Sequence, residues 1–370
     1  MGKDDSQGNG GGNGGGKPSK TYADYLDLHT LLSLQGGEEL TNDETHFIIV
    51  HQNFELWFKQ IIRELREARD IIGAEHVAEA LVPKAVSHLD RVTEIFRLMA
   101  NQWKVMETLT PQGFLAFRDG LGTASGFESF QMREMEILLG LQQPDRIGEM
   151  DPLGHFRKLA KRGPEDAAVM ARLEASMAEE SLVDALYRWL ARTPIQGSIA
   201  GAADDEDEVN SYVEAHLASY QRLGDEAAAR MEHQGVANSD AVKQRFEAAA
   251  AGAREFLKPD GNVVRSRAGL LFIESYRELP LLTWPRTFVD AIVELEGSMV
   301  LWRTAHARMV ERMIGRRVGT GGSSGVDYLD MTAKYRIFHD LWAVRTILIK
   351  ASERPELKNP DFYGFIGENA

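Results

Sequence analysis

The chain has 370 residues, 43% of them hydrophobic, enough to bury one large core or two small ones. Its 42 basic and 56 acidic side chains leave a formal charge of −14, which argues against a nucleic-acid or anionic-membrane partner. The absence of cysteine excludes disulfides, thiolate metal sites and iron–sulfur clusters.

Residues 1–20 include eight glycines and almost nothing that could be buried, so this tail is expected to be disordered. Order is expected from Thr21, with residues 21–370 forming a single all-α domain. Thr41-Asn42-Asp43-Glu44 reads as a capping box. It opens a segment in which Phe47, Val50, Phe54, Phe58, Ile61 and Leu65 recur at steps of three and four. Helical spacing continues over 83–109, 127–140, 165–192, 207–257 and 286–315. Pro111, Pro152, Pro194, Pro259 and Pro280 fall between these segments, where helix breakers belong. No succession of alternating apolar residues suggests a sheet. The acidic run 204–208 reads as a solvated helix start. No apolar run is long enough to span a bilayer and the N-terminus has no apolar signal core, so a cytoplasmic location is expected.

Among the ten histidines, His46 and His51 lie five apart on one helix and point about 140° apart, a poor arrangement for one metal ion. His51 with Glu55 four residues on would need further ligands. His51 suits either a hydrogen-bonded core histidine or a polar group on the wall of an apolar pocket. His306 shares its helix face with Met299, Trp302, Met309, Val310 and Met313. An imidazole among thioethers and an indole suits an axial haem ligand, and equally an ordinary core histidine. Gly315 is placed to end that helix. The following GTGGSSG (319–325) offers backbone N–H groups to an anion, but neither a preceding strand nor a following lysine makes it a phosphate loop. Arg118, upstream of a Ser-Gly turn, is either a surface charge or a bidentate carboxylate clamp.

In chain order, YADYLDL (22–28), HFIIVHQNFELWFKQ (46–60), FRDGL (117–121), ASGFESFQMR (124–133), WRTAHARMVERMIG (302–315) and GTGGSSGVDYL (319–329) resemble the tryptophan 2,3-dioxygenase family over about Tyr22 to Lys350. The resemblance implies a helical-bundle haem dioxygenase fold and a homotetramer. It also implies that O2 cleaves the indole C2–C3 bond of L-tryptophan to N-formyl-L-kynurenine, the opening step of tryptophan catabolism by the kynurenine route.

By position, His306 is similar to the axial ligand of a b-type haem that is active as Fe2+. His51 resembles the distal residue that accepts a hydrogen bond from the indole N–H. Arg118 resembles the clamp on the substrate carboxylate. Thr320 resembles the contact to the ammonium and carboxylate, and Phe47 and Leu121 resemble walls of the indole pocket. Ser125 matches a position near the haem edge, and Tyr22 and Tyr25 match aromatics that reach into a neighbouring subunit's site.

The chain departs from the family pattern at Gly120, Thr123 and Glu128, where a bulky aromatic, a proline and a glutamine are common. Glycine there loosens the backbone and opens volume beside Arg118 and Leu121. That leaves an alternative, a related haem enzyme that mono-oxygenates a substituted tryptophan in natural-product biosynthesis. A haem sensor without turnover would not need His51, Arg118 and Thr320 together.

Overall fold

The computed structural model describes residues 20–122, 126–141, 151–235, 239–317 and 325–364. The chain divides after Ile49 into two compact units. Among the described residues there is no strand, only an isolated bridge between Ile195 and Ser198.

In the first unit, α1 (Tyr22–Leu26) is followed by α2 (Leu28–Leu31), joined through Asp27 at φ +50°. Thr21 and Asp24 form a reciprocal capping box: the Thr21 hydroxyl accepts from Asp24 N at 3.2 Å, and the Asp24 carboxylate accepts from Thr21 N at 3.1 Å. Neither helix buries a residue. The unit boundary falls inside α3 (Asn42–Gly73), which starts where the sequence places it, with Thr41 Oγ1 accepting from Glu44 N at 3.2 Å.

The second unit continues with α4 (Val82–Met106), α5 (Pro111–Arg118), α6 (Phe130–Leu139), α7 (Pro152–Leu159), α8 (Pro164–Met177) and α9 (Leu182–Leu190). It closes with α10 (Asp205–His233), α11 (Ser239–Leu257), α12 (Arg265–Ser275), α13 (Thr283–Ile314), α14 (Gly325–Thr332) and α15 (His339–Thr346). Within it α4 packs extensively against α13. Phe54, Phe58, Ile61 and Leu65 of α3 are buried at the three- and four-residue steps read from the sequence. Leu89, Phe96, Met99 and Trp103 do the same on α4, and Phe288, Leu295, Met299 and Trp302 on α13. A smaller core joins Leu153 and Phe156 of α7 to Met170 and Leu173 of α8.

Three helix expectations are corrected. The segment 165–192 is two helices, because the Ser181 hydroxyl accepts from Asp184 N at 3.1 Å and starts a new helix. The segment 207–257 breaks after His233 into α10 and α11. The segment 127–140 becomes helical only at Phe130, after a 3₁₀ turn at Gly126–Glu128 and a Ser129 cap. The acidic run does begin α10, but Asp205 is buried there and takes two hydrogen bonds of 2.8 Å from Arg265.

His216 of α10 is fully buried, with its Nε2 donating to the Ile347 carbonyl at 2.9 Å. Burial pushes its pKa below the usual histidine value, partly offset by that hydrogen bond. The unfolded chain therefore takes up a proton below about pH 6.5 that the folded chain refuses, so His216 lowers stability as pH falls. The urea midpoint is expected to drop between about pH 7.5 and 5.5, and to drop less in His216→Gln, which keeps an N–H donor. An equal drop in both proteins would remove this role.

Candidate functional site

The site is built on α3, α4 and α13. Residues 299, 302, 306, 309 and 313 of α13 form one stripe. Met299, Trp302, Met309 and Met313 are buried, while His306 keeps part of its surface open. The helix ends at Gly315, whose φ of +61° would strain any other residue and whose N–H bonds the Glu311 carbonyl at 2.8 Å. On α3, His51 stands half-buried between the buried Val50 and Phe54.

A cluster of rings joins the three helices. The His306 imidazole lies parallel to the Trp103 indole, with centroids 4.4 Å apart and planes inclined by 3°. Trp302 stacks 6.0 Å from His306 on the same helix face. His51 meets Trp103 edge-on at 6.4 Å, and Phe54 packs against Trp103 at 4.2 Å. The two histidines of the sequence reading are thus brought to one aromatic cluster. Trp103, the side chain that joins them, was not singled out in the sequence, since only the tertiary pairing of α4 with α13 gives it a role.

Burial pushes the His306 pKa down to about 3, and the nearby His51 adds to the effect. The ring is therefore neutral at physiological pH and keeps a nitrogen lone pair. Among the described residues it has no hydrogen-bond partner. A neutral, partly open imidazole held by stacking is the donor that haem iron requires, so the residues present fit the group. No set of three histidine, aspartate or glutamate side chains among the described residues could hold another metal ion.

Arg118 is the last residue of α5 and is half-buried. Thr110 caps this helix, accepting from Gly113 N at 3.0 Å; Pro111 occupies its first turn and buried Phe117 anchors it. The helix packs against α13. A 3₁₀ turn at Asp119–Leu121 follows, with Leu121 half-buried. Among the described residues a β-carbon at Gly120 would meet nothing within 4 Å, and Gly120 itself is exposed. Gly122 adopts φ +58°, a conformation that favours glycine. Glu128 pairs with His155 at 3.2 Å.

Thr123, Ser125 and Thr320 lie outside the described residues. In the first unit Phe47 is half-buried on α3, and Tyr22 and Tyr25 are each 76% exposed. Besides Trp103, sequence reasoning missed the buried charges Arg133, Glu136 and Arg303, which local pattern alone would place on a surface.

A family model described as tryptophan 2,3-dioxygenase matches residues 5–348. "Tryptophan 2,3-dioxygenase 2" of Ralstonia nicotianae is 44% identical over 94% of this chain and 98% of its own length. "Tryptophan 2,3-dioxygenase" of Sorangium cellulosum is 41% identical over 94% and 88%. An Anopheles gambiae protein of the same name is 32% identical over 93% and 89%.

Proposed function

This chain belongs to the tryptophan 2,3-dioxygenase family, and we propose that it uses haem and O2 to cleave the indole C2–C3 bond of L-tryptophan, giving N-formyl-L-kynurenine. The observation that carries the reading is the neutral His306 imidazole, stacked on Trp103 and within electrostatic reach of His51.

His306 would hold the iron of a b-type haem. Ferrous haem, when bound, supplies the binding and activation of O2. The chain's own residues bind and orient the substrate. His51 accepts a hydrogen bond from the indole N–H and so fixes the rotation of the ring. An indole lacking that N–H would lose the hydrogen bond to His51, which is a source of selectivity. The amino-acid end is zwitterionic and needs both a cation and acceptors. Arg118 supplies the bidentate cation for the carboxylate, and Thr320 contacts the ammonium and carboxylate. By the family pattern Phe47 and Leu121 would contact the indole, and Ser125 matches a family position near the haem edge. Holding the C2–C3 bond in a reactive geometry in this way contributes several kcal/mol.

The protein acts as a homotetramer in the cytoplasm, with Tyr22 and Tyr25 of one protomer reaching a neighbour's site. Their high exposure within their own unit supports this. Among the described residues no helix is long and apolar enough to cross a membrane. The test is turnover of L-tryptophan by the haem-loaded ferrous protein in air. N-formyl-L-kynurenine is the expected product, and haem binding without any oxidised indole product would reject the reading.

A further inference from the structure

A metal-ligating histidine is ordinarily held in one rotation by a hydrogen bond from its second ring nitrogen. Among the described residues His306 makes no such bond, and its ring is held by packing instead. The nearer of its two stacked neighbours is Trp103 of α4, parallel within 3° and 4.4 Å away between centroids. Trp302, four residues earlier on α13, stands off at 6.0 Å and is inclined by 27°.

Trp103 is itself fixed. It is buried, with the buried Phe54 packed on it at 4.2 Å and Trp302 stacked at 6.4 Å. One residue before it, Gln102 Nε2 donates to the Val50 carbonyl at 3.2 Å and pins α4 to α3. Met99 and Met106, one turn to either side on α4, are buried as well. The indole therefore cannot turn without displacing Phe54. Its Nε1 is buried and has no hydrogen-bond partner among the described residues. A buried donor without a partner is costly, and a phenyl ring would fill this core without that cost. Core packing alone thus does not call for an indole at this position. What the indole adds is a larger flat face against the imidazole.

We propose that Trp103 is a positioning residue for the metal ligand: clamped by Phe54 and pinned through Gln102, its indole face holds the His306 imidazole in one rotation, so that the coordinating nitrogen points in one direction. This rests on the proposed role of His306 as the ligand of haem iron. A ring free to rotate would present its lone pair over a spread of directions and hold the iron less firmly. The contact of Trp103 with His51 is edge-on and longer, 6.4 Å. Trp103 thus governs how firmly haem is held and leaves the affinity for L-tryptophan alone.

The test uses the haem-loaded ferric protein, read by the rate of haem transfer to excess apomyoglobin and by electron paramagnetic resonance of the iron. Trp103→Leu fills the core but removes the stack, and is expected to speed haem loss about tenfold and to broaden the iron signal. Trp103→Phe keeps a ring against the imidazole and should lose haem within about threefold of the wild-type rate, with the signal still sharp. Phe54→Leu removes the clamp and leaves Trp103 in place. It should move both readouts in the direction of Trp103→Leu, and it carries the test if Trp103→Leu does not fold. The L-tryptophan KM should stay within about twofold in all three. Equal acceleration of haem loss in Trp103→Leu and Trp103→Phe would overturn the positioning role. So would a lowered Tm or a raised KM in Trp103→Leu with haem loss and iron signal unchanged. A wild-type protein without a histidine-ligated haem spectrum would overturn the proposed function and this role together, whereas a histidine-ligated wild type with unmoved variants would overturn this role alone.

Discussion

Replacing His306 with alanine is expected to abolish axial ligation of haem and to reduce turnover to background. The stripe on α13 explains why the loss should be severe. The positions flanking His306 on that face are Trp302, which offers iron no lone pair, and Met309, which offers a thioether rather than an imidazole. The substitution also removes the ring stacked on Trp103 and opens space in the aromatic cluster. A His306→Gly variant supplied with free imidazole separates ligation from folding. Imidazole should restore the axial-ligand spectrum in part if the cluster is intact. A haem spectrum identical to wild type in His306→Ala without imidazole would show that the iron is held elsewhere.

Arg118→Ala is expected to raise the L-tryptophan KM by about 10- to 100-fold. A hydrogen bond to a charged group contributes about 1.5–3 kcal/mol, and each 1.4 kcal/mol is about a factor of ten. The inhibition constant of tryptamine should hardly move, because tryptamine has no carboxylate to lose. Arg118→Lys should recover only part of the affinity, since an ammonium cannot make the bidentate fork. Steady-state kinetics with both compounds check this, and an unchanged KM would remove the clamp.

The helices were legible where a local signal sets them. Thr41 caps α3, Gly315 ends α13, and the apolar steps on α3 point inward as read. The break at Ser181 was missed although Ser181-Leu182-Val183-Asp184 carries a capping pattern, because the apolar spacing runs on through it. Of the site, His51 and His306 could be picked out as polar groups on apolar faces, though spacing alone could not separate ligand from core residue. Only the family resemblance points to His306 as the ligand. Trp103 carried no local mark, because its partner is some two hundred residues away in sequence and only the packing of α4 on α13 brings them together. The Arg133, Glu136 and Arg303 trio was invisible for the opposite reason. Charged residues are rarely buried, so three of them read as solvated until the fold closes over them.

The central claim is that this chain delivers both atoms of O2 to the indole, and ¹⁸O₂ tests it most directly. The haem-loaded ferrous protein is mixed anaerobically with L-tryptophan, exposed to ¹⁸O₂, and the product is weighed by mass spectrometry before its labelled carbonyls exchange with water. The expected product is N-formyl-L-kynurenine carrying two ¹⁸O atoms. A product with its indole ring intact and one ¹⁸O atom would contradict the claim and make the enzyme a mono-oxygenase.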